Sequence, residues 1–200
     1  MAGRPRKTEP EVALAAAMNA FWAKGYEATS MSDLTEATGL HKASLYQTFG
    51  DKHQLFVSAL KLYFNITAKA QKDSRNGEED PIKAIKKSVD TTIDQCAGGK
   101  GCLAVNSLIE VAPFDDEIDR ILKQFRQRLD KHLARLVEEA KEKKLVGKSV
   151  DTKEAVRLIS VFLHGLSANM AAGMSANKAR TLLHDQLDLV LAPRNKFRRS

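Results

Sequence analysis

Nowhere in the 200 residues does a strand-type alternation of apolar and polar side chains run for any length, while apolar residues recur three or four positions apart almost throughout. A chain patterned in this way buries its apolar groups by packing helices, so an all-α fold is expected. The first helix is expected at residues 9–24, with Leu14, Ala17, Met18 and Phe21 on one face and Gly25 as its stop. A short helix at 31–38 follows Ser30, with Asp33 in the reciprocal capping position, and ends at the tight turn Gly39-Leu40. A third spans 42–48, and Gly50 breaks it. Asp51 and Gln54 open a fourth, whose Leu55, Phe56, Ala59, Leu60 and Tyr63 face inward.

The polar stretch 72–80, which contains Gly77, reads as a linker. Asp80-Pro81 starts a further helix, closed by Gly98-Gly99. A short apolar helix is expected at 102–111, ahead of Pro113. Asp115 and Asp116 then open a long one carrying Ile118, Ile121, Leu122, Phe125, Leu129, Leu133, Leu136 and Val137 at helical spacing. The segment 155–172 is apolar all round, with Val156, Leu158, Ile159, Val161, Phe162, Leu163, Leu166 and Met170, and a leucine-rich helix at 182–191 ends the pattern. A helix apolar on every side has to be covered on every side. Either it lies at the centre of the monomer core or a second subunit covers it, and in so small a protein a homodimer is the expected solution.

Composition narrows the class further. With 43% hydrophobic residues the chain can build a core, yet no run nears the roughly 18 apolar residues of a membrane span. The basic first residues lead into no apolar stretch, so a cytoplasmic protein without membrane association is expected. Cys96 and Cys102 fit neither a CxxC pair nor a zinc site, and neither a metal nor a cofactor is expected. The net charge of +7 comes entirely from Arg4, Arg6 and Lys7 at one end and Arg194, Lys196, Arg198 and Arg199 at the other. Net charge therefore says little about partners. The arm Gly3-Arg4-Pro5-Arg6-Lys7 says more: arginines flanking a proline suit a narrow minor groove, although a solvated tail has the same composition.

The informative segment runs over residues 25–56. Two short helices joined by a glycine-containing turn form a helix-turn-helix, whose second helix can enter the major groove of DNA. Here that helix offers Lys42, Ser44, Tyr46, Gln47 and Thr48 as polar groups, while Leu45 and Phe49 face back into the small core. Glutamine can read adenine with two hydrogen bonds, and lysine can reach guanine or a phosphate. Lys52 lies in the first turn of the next helix, where its ammonium and the free backbone N–H groups together favour a phosphate.

This segment resembles the DNA-binding domain of the TetR family of regulators. The resemblance rests on Gly25-Tyr26, Thr29-Ser30, Gly39-Leu40, Leu45-Tyr46, Phe49, Lys52 and Leu55-Phe56, in order and with every gap matching. It implies phosphate contacts by Thr29, Tyr46 and Lys52, and base or phosphate contacts by Lys42 and Gln47. His41 departs from the small polar residue usual at its position. The resemblance also implies a repressor that binds a palindromic operator as a dimer and lets go on sensing a small-molecule effector. The division expected is a DNA-binding domain at residues 6–66 and an effector-binding and dimerisation domain at residues 80–192.

Gly101-Cys102-Leu103 with Asn106 and Glu110-Val111 is similar to a subgroup of repressors that respond to electrophiles. A cysteine at a helix start beside Lys100 has a stabilised thiolate, whereas a cysteine among Leu103, Ala104 and Val105 can equally be a small buried hydrophobe. The expected effector pocket is mostly apolar, with Cys102, Asn106, Phe125, His132, Phe162 and His164 as its candidate residues. A nucleophilic Cys102–His pair lacks a third orienting group, so no enzyme is expected.

Overall fold

The computed structural model describes residues 9–192, which fold into nine α-helices and one short 3-10 turn, with no strand among them. The N-terminal part is built as the caps dictate. Helix α1 (Pro10–Lys24) has proline at its first position and buries Ala13, Ala17, Met18 and Phe21 as one stripe. Helix α2 (Met31–Thr38) starts with the full reciprocal box between Ser30 and Asp33 and stops at Gly39, whose left-handed φ of 67° lets the chain turn at once into α3 (Lys42–Phe49). Helix α4 (Lys52–Arg75) opens with the same device, Asp51 with Gln54. Leu34, Leu45, Leu55 and Phe56 close the small core between these helices, with the Phe21 and Phe56 rings edge to face at 5.0 Å.

Helix α4 extends to Arg75, well into the stretch expected to be a linker. Lys72 and Asp73 are exposed there, and Arg75 pairs with Glu139 at 2.8 Å, which holds the last turn in place. Only residues 76–80 remain as a loop. Because α4 runs past residue 66, it belongs to both parts of the chain, and the buried apolar side chains form one continuous cluster from Ala17 to Leu191.

Helix α5 (Pro81–Gln95), capped by Asp80, packs against α4, α7 and α9. Helix α6 (Leu103–Glu110) follows a glycine-rich turn, and a 3-10 turn (Ala112–Phe114) leads into α7 (Asp116–Glu142), capped by Asp115. Helices α8 (Thr152–Ala171) and α9 (Ala176–Val190) complete the chain. Helix α9 starts six residues before the expected 182, because Ser175 caps it and Ala179, rather than a leucine, is the first side chain it buries. No helix of the described residues is long and apolar enough to cross a membrane.

The all-round apolar character of α8 divides in two. Val156, Ile159, Leu163, Leu166 and Met170 are buried within the protomer, whereas Leu158 and Val161 are 39% and 64% exposed. On α9, Leu182 and Leu189 are also exposed. On the same helix as Leu158 and Val161, a Cβ added to Gly165 would meet nothing within 4 Å.

Candidate nucleic-acid interface and effector cavity

Helix α3 turns Leu45 inward and leaves Lys42, Tyr46 and Gln47 exposed, with Ser44 half-buried. The Lys42 ammonium sits 5.9 Å from the Tyr46 ring centroid, so the two side chains occupy one patch. Lys52 is held differently. Its ammonium lies 4.5 Å from the centre of the Tyr26 ring and donates to the Glu27 carbonyl at 3.3 Å, which fixes it against the α1–α2 turn. Thr29 does not reach this surface: it is fully buried, and its hydroxyl donates to the Gly25 carbonyl and closes the turn from within. Arg4 and Arg6 lie outside the described residues.

The turn that supports Lys52 is itself gripped from the other half of the chain. The carboxylate of Glu110, the last residue of α6, accepts hydrogen bonds from the backbone N–H groups of Tyr26 at 3.1 Å and Glu27 at 2.9 Å. Gly25 adopts φ +85°, and a Cβ there would come within 2.9 Å of that carboxylate, so only glycine admits the approach. Two further contacts join the halves. His53, next to Lys52, meets the Asp115 carboxylate at 2.7 Å, and the Trp22 indole donates to the Gly101 carbonyl at 3.0 Å. None of these pairings has a local signature, since the partners are more than sixty residues apart.

Behind α6 lies a cavity of about 80 Å³, lined by Leu122, Phe125 and Leu163, with Tyr63, Cys102, His164, Lys123 and Arg126 among its polar groups. Three of the six expected pocket residues thus meet there: Cys102, Phe125 and His164. The other three do not line it. The Asn106 amide donates to the Lys100 carbonyl at 2.9 Å and braces the glycine-rich turn instead. His132 lies two helical turns beyond Phe125 on α7, in a separate groove, and Phe162 is half-buried on α8 away from the cavity wall. Burial, followed by the nearby Arg126 guanidinium, lowers the His164 pKa.

Cys102 occupies the cap position of α6 and is only 6% exposed. Its backbone N–H donates to the Ser167 hydroxyl at 2.8 Å, and its sulfur lies 3.2 Å from the Tyr63 hydroxyl. The neighbouring Cys96 thiol lowers the Cys102 pKa, with the Tyr63 hydroxyl and the N–H groups of Val105 and Ala104 adding to it against the cost of burial. The same partnership, together with burial, pushes the Cys96 thiol up. Lys100 takes no part in this, because its ammonium lies over the Trp22 ring at 5.7 Å. The sulfur is therefore both buried and ringed by donors. Among the described residues no cluster of His, Cys, Asp or Glu could hold a metal ion.

Comparison with known proteins agrees with this architecture. Residues 13–59, which span the helix-turn-helix, match the family described as bacterial regulatory proteins, tetR family. The HTH-type transcriptional repressor ComR of Escherichia coli (strain K12) is 27% identical over 180 residues, covering 88% of this chain and 86% of its own. An uncharacterized HTH-type transcriptional regulator, YezE of Bacillus subtilis (strain 168), is 28% identical over 194 residues, covering 95% and 98%. Among solved structures, a cysteine mutant of the TetR family regulator CifR bound to 26-base-pair operator DNA superimposes with a TM-score of 0.80, at 24% identity, over 92% of this chain and 98% of that one. A TetR transcriptional regulator from Chloroflexus aurantiacus J-10-FL gives a TM-score of 0.82 at 20% identity, covering 90% and 93%. Residues 13–59 thus match the DNA-binding domain of the TetR family, and the chain as a whole is similar to TetR-type transcriptional regulators.

Proposed function

We propose that the protein is a cytoplasmic repressor that binds a palindromic operator as a homodimer and is released when an effector engages its second part. The observation that carries this reading is the display on α3 of Lys42, Ser44, Tyr46 and Gln47 beside a Lys52 clamped to the neighbouring turn. Such a surface offers a base-reading amide and phosphate-binding cations together. One relative, ComR of Escherichia coli, carries the name repressor. The exposed apolar residues of α8 and α9 supply the dimer contact, and Gly165 leaves room there for close approach of a second helix. Arg4 and Arg6 would extend the contact into the minor groove.

Binding of the promoter DNA adjoining the gene tests this, measured at several salt concentrations. Lys52→Ala should weaken operator and random DNA alike and reduce the salt slope by about one. Gln47→Ala should cost affinity for the operator only. Equal losses on both DNAs for Gln47→Ala would remove its base-reading role.

Cys102 is the candidate for the sensing step. Its thiolate would add to an electrophile such as N-ethylmaleimide, forming a carbon–sulfur bond while the neighbouring ring carbon takes up a proton. The adduct needs more room than the cavity offers, so α6 would have to shift and carry Glu110 with it. Alkylated wild type should lose operator affinity while Cys102→Ser keeps it under the same treatment. Retained affinity after mass spectrometry shows Cys102 modified leaves a reversible cavity ligand as the effector.

A further inference from the structure

A second concave space lies on the other side of the wall formed by Thr67, Phe125 and Leu129, which face both it and the inner cavity. It is a groove of about 440 Å³ between the C-terminal half of α4 and the middle of α7. Lys72, Arg75, Arg128 and Arg135 line it together with His132, and no carboxylate does. Glu139 stands behind it, bound to Arg75 at 2.8 Å and 3.8 Å from Arg135. One carboxylate therefore answers two guanidiniums, and Lys72 and Arg128 have no ion-pair partner among the described residues. The floor is apolar: the Phe64 and Phe125 rings stack at 4.1 Å and 13°. Four cations around a concave apolar floor create a positive field that solvent alone screens incompletely.

We propose that this groove is a binding site for an aromatic carboxylate, with its ring against Phe64 and Phe125 and its head group between Lys72, Arg128 and Arg135. Guanidinium matches a carboxylate with paired N–H donors and also stacks on flat rings, so both ends of such a ligand are recognised. Burial together with Arg135 and Arg75 lowers the His132 pKa, against a smaller opposing effect of Glu139, so the imidazole serves near neutral pH as a neutral donor. No lining residue belongs to α8 or α9, so the proposed dimer contact leaves the groove open.

Calorimetric titration of the full chain with 2-naphthoate and with 2-naphthamide, its uncharged isostere, tests the assignment. Naphthoate should bind at least roughly tenfold more tightly than the amide, and the double variant Lys72→Ala/Arg128→Ala should lose roughly that same factor for naphthoate alone. The paired control is Lys123→Ala/Arg126→Ala, since those two cations line the inner cavity and not the groove. All four side chains are on exposed residues, so neither double variant disturbs the core. The control should bind naphthoate as wild type does. Loss in the control rather than in the groove variant would put the anion in the inner cavity and overturn the proposal. Equal binding of acid and amide, or no binding of either at millimolar concentration, would also overturn it.

Discussion

Val161→Arg is expected to convert the protein to monomers and lower its operator affinity by about a hundredfold or more. Val161 is 64% exposed in the protomer, next to an exposed Leu158 on α8, so within one chain the arginine displaces nothing. Across the proposed interface the same charge would be buried without a partner, at a cost of several kcal/mol. The loss on DNA follows from linkage: two half-sites held together raise the effective concentration of the second head by factors of about 100–10,000, and a monomer forfeits that. Light scattering gives the mass and fluorescence anisotropy the affinity. A dimer that persists at micromolar concentration would sink the interface. Leu163→Arg would be a poor substitute for this test. Leu163 lies on the same helix but is 5% exposed and lines the inner cavity, so a charge there attacks the fold rather than the interface.

Glu110→Ala is expected to weaken operator binding by roughly ten- to a hundredfold while leaving the dimer intact. The carboxylate accepts from two successive backbone N–H groups of the turn that carries Tyr26, and Tyr26 is the platform for Lys52. Bonds to a charged acceptor contribute about 1.5–3 kcal/mol each when shielded, and less here because the Glu27 amide is exposed. Without the grip the turn can sample other conformations, and binding DNA then has to restore the order. Glu110→Gln, which keeps one acceptor oxygen, should fall between. The change should also raise amide exchange at Tyr26 and Glu27, as hydrogen-exchange NMR can show. Operator affinity within twofold of wild type would mean that the clamp does not position the head.

What could be read from the sequence is what short-range chemistry decides. Ser30 with Asp33 and Asp51 with Gln54 each act within four residues, and Gly39 and Gly50 stop the helices before them, so the first three helices and the start of the fourth are legible almost to the residue. Limits set by distant partners were not. Helix α4 continues through a polar stretch because Glu139 receives Arg75. Thr29 looked like a surface hydroxyl until the Gly25 carbonyl took it. The cavity residues split for the same reason: spacing tells which side chains share a helix face, but not which of them meet across three helices. Asn106 faces a loop carbonyl, while Cys102 is held by Ser167 and by Tyr63, whose spacing marks it only as an inward-facing core residue.

Helix α4 carries Lys52 at one end and, eleven residues on, the Tyr63 ring against Cys102, a separation of about 16 Å along one axis. A push at Tyr63 that tilts this helix as one body carries Lys52 with it. In the proposed dimer a two-fold axis repeats each tilt with opposite sense, so a displacement of about 1 Å at each head alters the distance between heads by about 2 Å when both move along the line joining them. DNA fixes the spacing of successive major grooves at roughly 34–36 Å and accommodates such errors only by deforming. Symmetry thus works as a gain stage: a change too small to disturb either protomer is read out as a mismatch twice its size.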